Sequence, residues 1–141
     1  MSVTRINAKG GRSKQPSFVM FRKDVFLHSA AYKALSYRAK ALLIDLTMQF
    51  NGKNNGDLVM TWTYMNSRGW TSKAALYAAK EELLEKGLIE LTRQGWLGRC
   101  GLYAVTWWPI DECKRKLDVV ETTIPRNWWQ AGRPPNGDNS K

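Results

Sequence analysis

Between Ser72 and Lys86 the apolar residues Leu76, Ala79, Leu83 and Leu84 recur at helical spacing, and Gly87 then hands the chain to Leu88-Ile89. No other stretch constrains the fold as strongly. The spacing gathers one apolar stripe on an α-helix, Thr71 or Ser72 supplies a hydroxyl for its free N–H groups, and a glycine past the last turn ends it. The period then changes to that of strands. Leu88 to Arg93 and Leu102 to Trp108 are rich in β-branched and aromatic residues and flank Gln94–Gly101, which holds Gly95, Gly98 and Gly101. They predict an antiparallel hairpin, ended by Pro109.

A second helix is predicted from Tyr37 to Phe50, started by Ser36 and striped by Ala39, Leu42, Leu43, Leu46 and Phe50. Asn51-Gly52-Lys53-Asn54-Asn55-Gly56 must stop it and reverse the chain, since Gly and Asn accept left-handed backbone. This is not a phosphate loop: it has no GK[ST] ending and no preceding strand. Asp57 to Met60 reads as a short strand, Thr61 as the cap of a helix from Trp62 to about Ser67, and Arg68-Gly69-Trp70 as a turn. Nearer the start, Phe18 to Phe21 is a short strand or an extended segment packed on the core, and Ser29 caps a turn at Ala30 to Lys33. Glu82 and Lys86 stand at i,i+4 for an exposed ion pair. This order predicts an α+β chain with one domain over 18–118, a three-helix core with a short strand and a β-hairpin. A basic arm (1–17) precedes it and a Pro/Gly-rich tail (119–141) follows, ordered only near Trp128 and Trp129.

At 141 residues the chain is long enough for one core and short for two. Its net charge of +10 attracts phosphate polymers or anionic membranes, and its distribution discriminates between them. Residues 1–23 carry Arg5, Lys9, Arg12, Lys14, Arg22 and Lys23 with no acid, more than half the excess. Such an arm fits a phosphate backbone, or serves only to solubilise the chain. No apolar run is long enough for a bilayer and the first fifteen residues lack a secretory core, so a cytoplasmic protein without membrane partners is expected. Cys100 and Cys113 match no zinc spacing, and His28 is the lone histidine. The cysteines read as a reduced pair, and no metal or other cofactor is expected. With no nucleophile motif and no acid–base constellation, nothing points to an enzyme.

A helix, a glycine turn, a second helix and a hairpin make a helix-turn-helix beside a wing, which is a geometry for double-stranded DNA. With Leu76 pointing inward, Ala74, Tyr77, Ala78 and Glu81 point outward at 100° per residue and become the groove-facing candidates. The alanines permit close approach and contact with thymine methyls. Tyr77 reaches a phosphate or base edge, and Glu81 accepts from cytosine N4. Lys73 and Lys80, at the border of the buried face, are assigned to phosphates or to packing of their stems, with Thr71 and Ser72 donating at the helix start. Arg93, Trp96 and Arg99 are the wing candidates and Arg12 and Lys14 those of the arm, reaching the neighbouring phosphates or the minor groove. No arginine or asparagine lies on the groove-facing strip, although these make the commonest base-specific contacts. Of seven tryptophans, Trp62, Trp70 and Trp107 are expected in the core, while Trp96, Trp128 and Trp129 are freer to meet DNA or a second subunit.

Leu83-Leu84-Glu85-Lys86-Gly87-Leu88-Ile89 resembles the L-x-E-K-G-L/F-I end of the recognition helix in winged helix-turn-helix regulators. More narrowly, residues 18–118 are similar to helix-turn-helix proteins of proteobacterial plasmids, prophages and integrative elements. The likeness is carried by Phe50 to Gly56, Thr92-Arg93-Gln94-Gly95 and Leu102 to Trp107. The resemblance implies a DNA-binding protein of a mobile element. A repressor or autoregulator is the leading expectation, and a replication or partition accessory protein would use the same helix. A protein-interaction winged helix is the third class, supported by Glu81, Glu82, Glu85 and Glu90. A homodimer is expected because one small module reads few base pairs.

Overall fold

The computed structural model describes residues 16–131. Among them lie α1 (Lys23–Phe26), α2 (Ala30–Lys33), α3 (Tyr37–Thr47), α4 (Trp62–Ser67), α5 (Lys73–Glu85) and α6 (Trp128–Ala131), with one antiparallel sheet of β1 (Ile89–Arg93) and β2 (Leu102–Val105). The architecture is α+β. Hydroxyl caps set four of the helix starts: Ser29, Ser36, Thr61 and Ser72 each accept from the N–H three residues on. No helix among the described residues is long and apolar enough to cross a membrane.

The two predicted stripes meet. Ala39, Leu42, Leu43 and Leu46 of α3 and Leu76, Ala79 and Leu83 of α5 are buried in one cluster with Val25, Leu58, Met65, Leu88, Ile89, Val105 and Trp107. At the end of α5 the Leu88 N–H bonds to the Leu83 carbonyl and the Gly87 N–H to that of Leu84, while Gly87 takes φ +74°. This paired closure needs a left-handed residue, and glycine supplies it without a steric cost. It turns the chain directly into β1.

Helix α3 stops at Thr47, short of Phe50. The Gln49 and Phe50 N–H groups bond three residues back, to Leu46 and Thr47, and the Phe50 ring stacks on Trp108 at 6.3 Å. The reversing loop also works differently from the sequence reading. Positive φ falls on Gly52 and Gly56 and on none of the three asparagines. Their contribution is through side chains. Asn54 accepts from the Asn51 N–H and donates to the Gln49 carbonyl. Asn55 is fully buried: its Oδ1 accepts from the Val105 N–H, and its Nδ2 lies 2.9–3.1 Å from the carbonyls of Val105, Trp108 and Pro109.

In the hairpin, Ile89 pairs with Val105, Glu90 with Ala104, Leu91 with Tyr103 and Arg93 with Leu102, and the register shifts across Thr92. Freed from the ladder, Thr92 donates its hydroxyl to the Gly56 carbonyl and accepts from the Asp118 N–H. The strand expected at Asp57–Met60 is a single antiparallel bridge from Leu58 to Tyr103. Strand β2 ends at Val105 because Thr106 turns its N–H to Leu88 and its hydroxyl to Gly87.

Three further expectations are corrected. Phe18 and Met20 are 86% and 64% exposed, so the segment before α1 does not enter the core. Packing does not end at residue 118. The Trp129 side chain belongs to the core, the Asn127 N–H bonds to the Thr106 carbonyl, and Arg126 holds buried Glu90 through bonds of 2.9 and 3.1 Å. Arg22, counted with the arm, is a structural residue: it pairs with Asp24, donates to the Trp107 carbonyl at 2.7 Å and lies over the Trp108 ring.

Candidate nucleic-acid interface

The outward face of α5 is as the 100° geometry predicts. Ala74, Tyr77, Ala78 and Glu81 are exposed on the side away from Leu76, Ala79 and Leu83, and Lys73 is exposed at the border of that strip. Its two lysines are held against aromatic rings. Lys73 Nζ lies 5.7 Å from the Trp62 ring, and Lys80 Nζ lies 5.5 Å from Tyr77 and 5.9 Å from Tyr103. Because Tyr103 is on β2, Lys80 joins the exposed face of α5 to the hairpin beside it. Burial, with the charges of Glu81 and Cys100, pushes the Tyr103 phenol up, so it is a neutral group at physiological pH.

At the other end of the face, α3 braces the turn between α4 and α5. Asp45 accepts from Arg68 Nε at 3.2 Å and from the Trp70 indole at 3.0 Å. Arg38 of α3 joins Arg68, Thr71, Ser72 and Ala75 around a shallow cleft of about 440 Å³ at the start of α5. Sequence reasoning missed Arg38 and Arg68. The available signal was Asp45, a carboxylate two helical turns beyond Arg38 on the same side of α3.

The hairpin arginines sit where expected but use their donors locally. Arg93 donates through Nε and a terminal nitrogen to the Cys100 carbonyl, at 3.2 and 2.8 Å. Arg99 stacks 3.8 Å above the Trp96 ring and donates to the Gln94 carbonyl and to Asp118. The Gln94 N–H, and after it Arg99, hold the Asp118 carboxyl below the usual carboxylate range. The two guanidinium groups are thus oriented by the loop itself, and Trp96 remains 61% exposed. Arg12 and Lys14 lie outside the described residues.

No known protein family, curated protein or solved structure matches the chain.

The acidic residues around α5 divide into two pairs. Glu82 bonds to Ser36 rather than to Lys86, and Glu90 is bound by Arg126. Glu81 and Glu85 stay exposed and line a groove of about 640 Å³ with Leu84, Ile89, Leu91 and Trp128. Trp62 and Trp70 are partly buried against the core and Trp107 wholly buried. Cys100 and Cys113 are free thiols, and no cluster of metal-ligating side chains occurs among the described residues. Burial, with Asp57 and Asp111 nearby, pushes the Cys113 thiol up to about 11.

Proposed function

We propose that this chain is a double-stranded DNA-binding protein of the winged helix-turn-helix type, with α5 in the major groove and the hairpin on the flanking phosphates or minor groove. The observation that carries this reading is the strip Ala74, Tyr77, Ala78 and Glu81, exposed along α5 between Arg38 and Arg68 at one end and Lys80 with the hairpin at the other. An α-helix fits a groove about 12 Å wide, and small residues on its outer face let it come close enough to touch base edges. The alanine methyls meet thymine methyls, the Tyr77 hydroxyl bonds to a phosphate or base edge, and Glu81 accepts from cytosine N4. Lys73, Arg38, Arg68 and the free N–H groups at the start of α5 neutralise the phosphates on either side. The arm, with Arg12 and Lys14, adds charge that acts on any sequence.

The regulatory role follows from the likeness of Leu83 to Ile89 to winged helix-turn-helix regulators: a homodimer of a mobile element that occupies two half-sites and represses transcription, its own included. A replication or partition accessory protein would read DNA with the same face. A reporter under the chain's own upstream sequence separates the two, because only a regulator changes its expression.

Duplex binding is tested by titration at several salt concentrations. Replacing Lys73, Tyr77 and Arg93 together with alanine lowers affinity by about a hundredfold, and deleting residues 1–15 lowers the salt slope by about 3 to 4. Unchanged affinity in the triple variant overturns this assignment.

A further inference from the structure

We propose that the tip of the hairpin is a wedge that enters the minor groove and unstacks one base step, with Leu97 as the inserting side chain. The inference rests on the duplex-binding reading above and adds to it a mode of recognition: the protein reads how readily its site bends.

The tip is built as a rigid apolar point. Trp96 and Arg99 exchange backbone hydrogen bonds of 3.0 and 2.9 Å, so Leu97 and Gly98 are the two central residues of a tight turn. Gly98 takes φ +88°, the conformation that the third position of a type II turn requires. Leu97 is left 97% exposed beside Trp96. A lone exposed leucine is ordinary on a protein surface. Here two large apolar side chains share one braced loop: Arg99 covers a face of the Trp96 ring, Asp118 holds Arg99 and the Gln94 N–H, and Arg93 holds the Cys100 carbonyl. Ordering of this loop therefore precedes binding, which lowers the entropic cost of insertion.

The neck behind the tip is thin. A Cβ added at Gly95 would lie 2.6 Å from the Gly101 nitrogen, so the two sides of the loop approach more closely than any side chain between them would allow. A narrow neck with an apolar end suits a minor groove about 6 Å wide. The reach also suits it. From Ile89, where β1 begins, to Leu97 is at most about 25 Å of chain, against about 17 Å from a major groove to the next minor groove, half of one helical turn. Lys80, lying over Tyr103, keeps the hairpin alongside the exposed face of α5. Arg93 and Arg99, offset in part by Asp118, leave the loop behind the apolar tip net positive, which favours the minor groove over an apolar protein surface. Apolar side chains inserted this way kink the duplex by about 20–90°.

The test uses the full chain and a duplex recovered by selection from a random library, end-labelled for energy transfer and carrying 2-aminopurine at successive positions. The wild-type chain is expected to bend the duplex and raise 2-aminopurine emission at one step. Leu97→Ala removes at least half of the bend and of the emission, lowers affinity about tenfold and leaves the salt slope unchanged. Leu97→Phe restores both signals. Binding without a bend, or a bend that survives Leu97→Ala, overturns the wedge while leaving duplex binding intact. A fall in the free protein's mass from dimer to monomer on Leu97→Ala overturns it in favour of a contact between copies. Absence of any salt-dependent binding by the wild-type chain removes the duplex reading and the wedge with it.

Discussion

Glu82 of α5 closes the start of α3: its carboxylate accepts from the Ser36 N–H at 2.6 Å and from the Ser36 hydroxyl at 2.8 Å. The Ser36 hydroxyl in turn accepts from the Ala39 N–H. One side chain from the last turn of α5 therefore holds the cap residue of α3 and fixes how the two helices align.

Glu82→Ala is expected to lower stability by about 1–2 kcal/mol, the scale of a lost cap with a charged acceptor. Glu82→Gln recovers part of that. Lys86→Ala changes stability by less than about 0.5 kcal/mol, as for a surface residue outside any such pair. Urea unfolding of the three variants measures the order, and equal effects at positions 82 and 86 would refute the cap.

The last described helix is part of the core, so shortening the chain at residue 118 is expected to unfold it or leave it markedly less stable. Trp129→Ala costs about 3–4 kcal/mol as a buried aromatic truncation. Arg126→Ala also destabilises, because it leaves Glu90 buried and unpaired, whereas Glu90 and Arg126 replaced together by glutamine and methionine lose less than the single variant. Thermal unfolding monitored by near-ultraviolet circular dichroism checks all four.

Asn55 ties the reversing loop to the end of β2 and the segment just after it. Asn55→Ala orphans the Val105 N–H and is expected to cost about 2–3 kcal/mol. Asn55→Asp is worse than Asn55→Ala above pH 6 and improves as the pH falls, because a buried carboxylate beside three carbonyl oxygens is tolerated only when protonated. Chemical denaturation at two pH values tests the sign.

Cys113 offers a titration. Its thiol is raised to about 11 in the folded chain, first by burial and then by Asp57 and Asp111. The folded state holds this proton more tightly than the unfolded state. The associated stability is thus present below the ordinary thiol value and is lost as the pH rises through 11. Alkylation of Cys113 is expected to speed up about tenfold per pH unit from pH 8 to 10, since the thiolate is the nucleophile. In urea the midpoint moves down toward the ordinary thiol value. Mass spectrometry after iodoacetamide pulses reads this site apart from Cys100.

Features that depend on residues a few positions apart were legible in the sequence. The hydroxyl caps at Ser29, Ser36, Thr61 and Ser72, the stripes of α3 and α5, the exit at Gly87 and the outward strip of Ala74, Tyr77, Ala78 and Glu81 all follow from helix geometry and the chemistry of free N–H groups. The hairpin followed likewise from two β-prone runs and a glycine loop, though its strands are shorter than their composition suggested. Strand β2 stops where Thr106 sends its hydroxyl to Gly87, and Thr92, bonded to Gly56, shifts the register inside β1.

What the sequence determined, then, is the helix that ends at Gly87 in a hairpin and the face that helix turns outward, because both depend on local periodicity. Tertiary structure alone decided which polar side chains remain available. Glu82 could have paired with Lys86 but found Ser36, 46 positions away, and Asn55 found Val105, 50 positions away. Arg99 was drawn to Trp96 and Asp118, and Trp129 was brought into the core. A charged or amide side chain has many partners of similar strength, and burial and proximity select among them only once the chain has closed over its core.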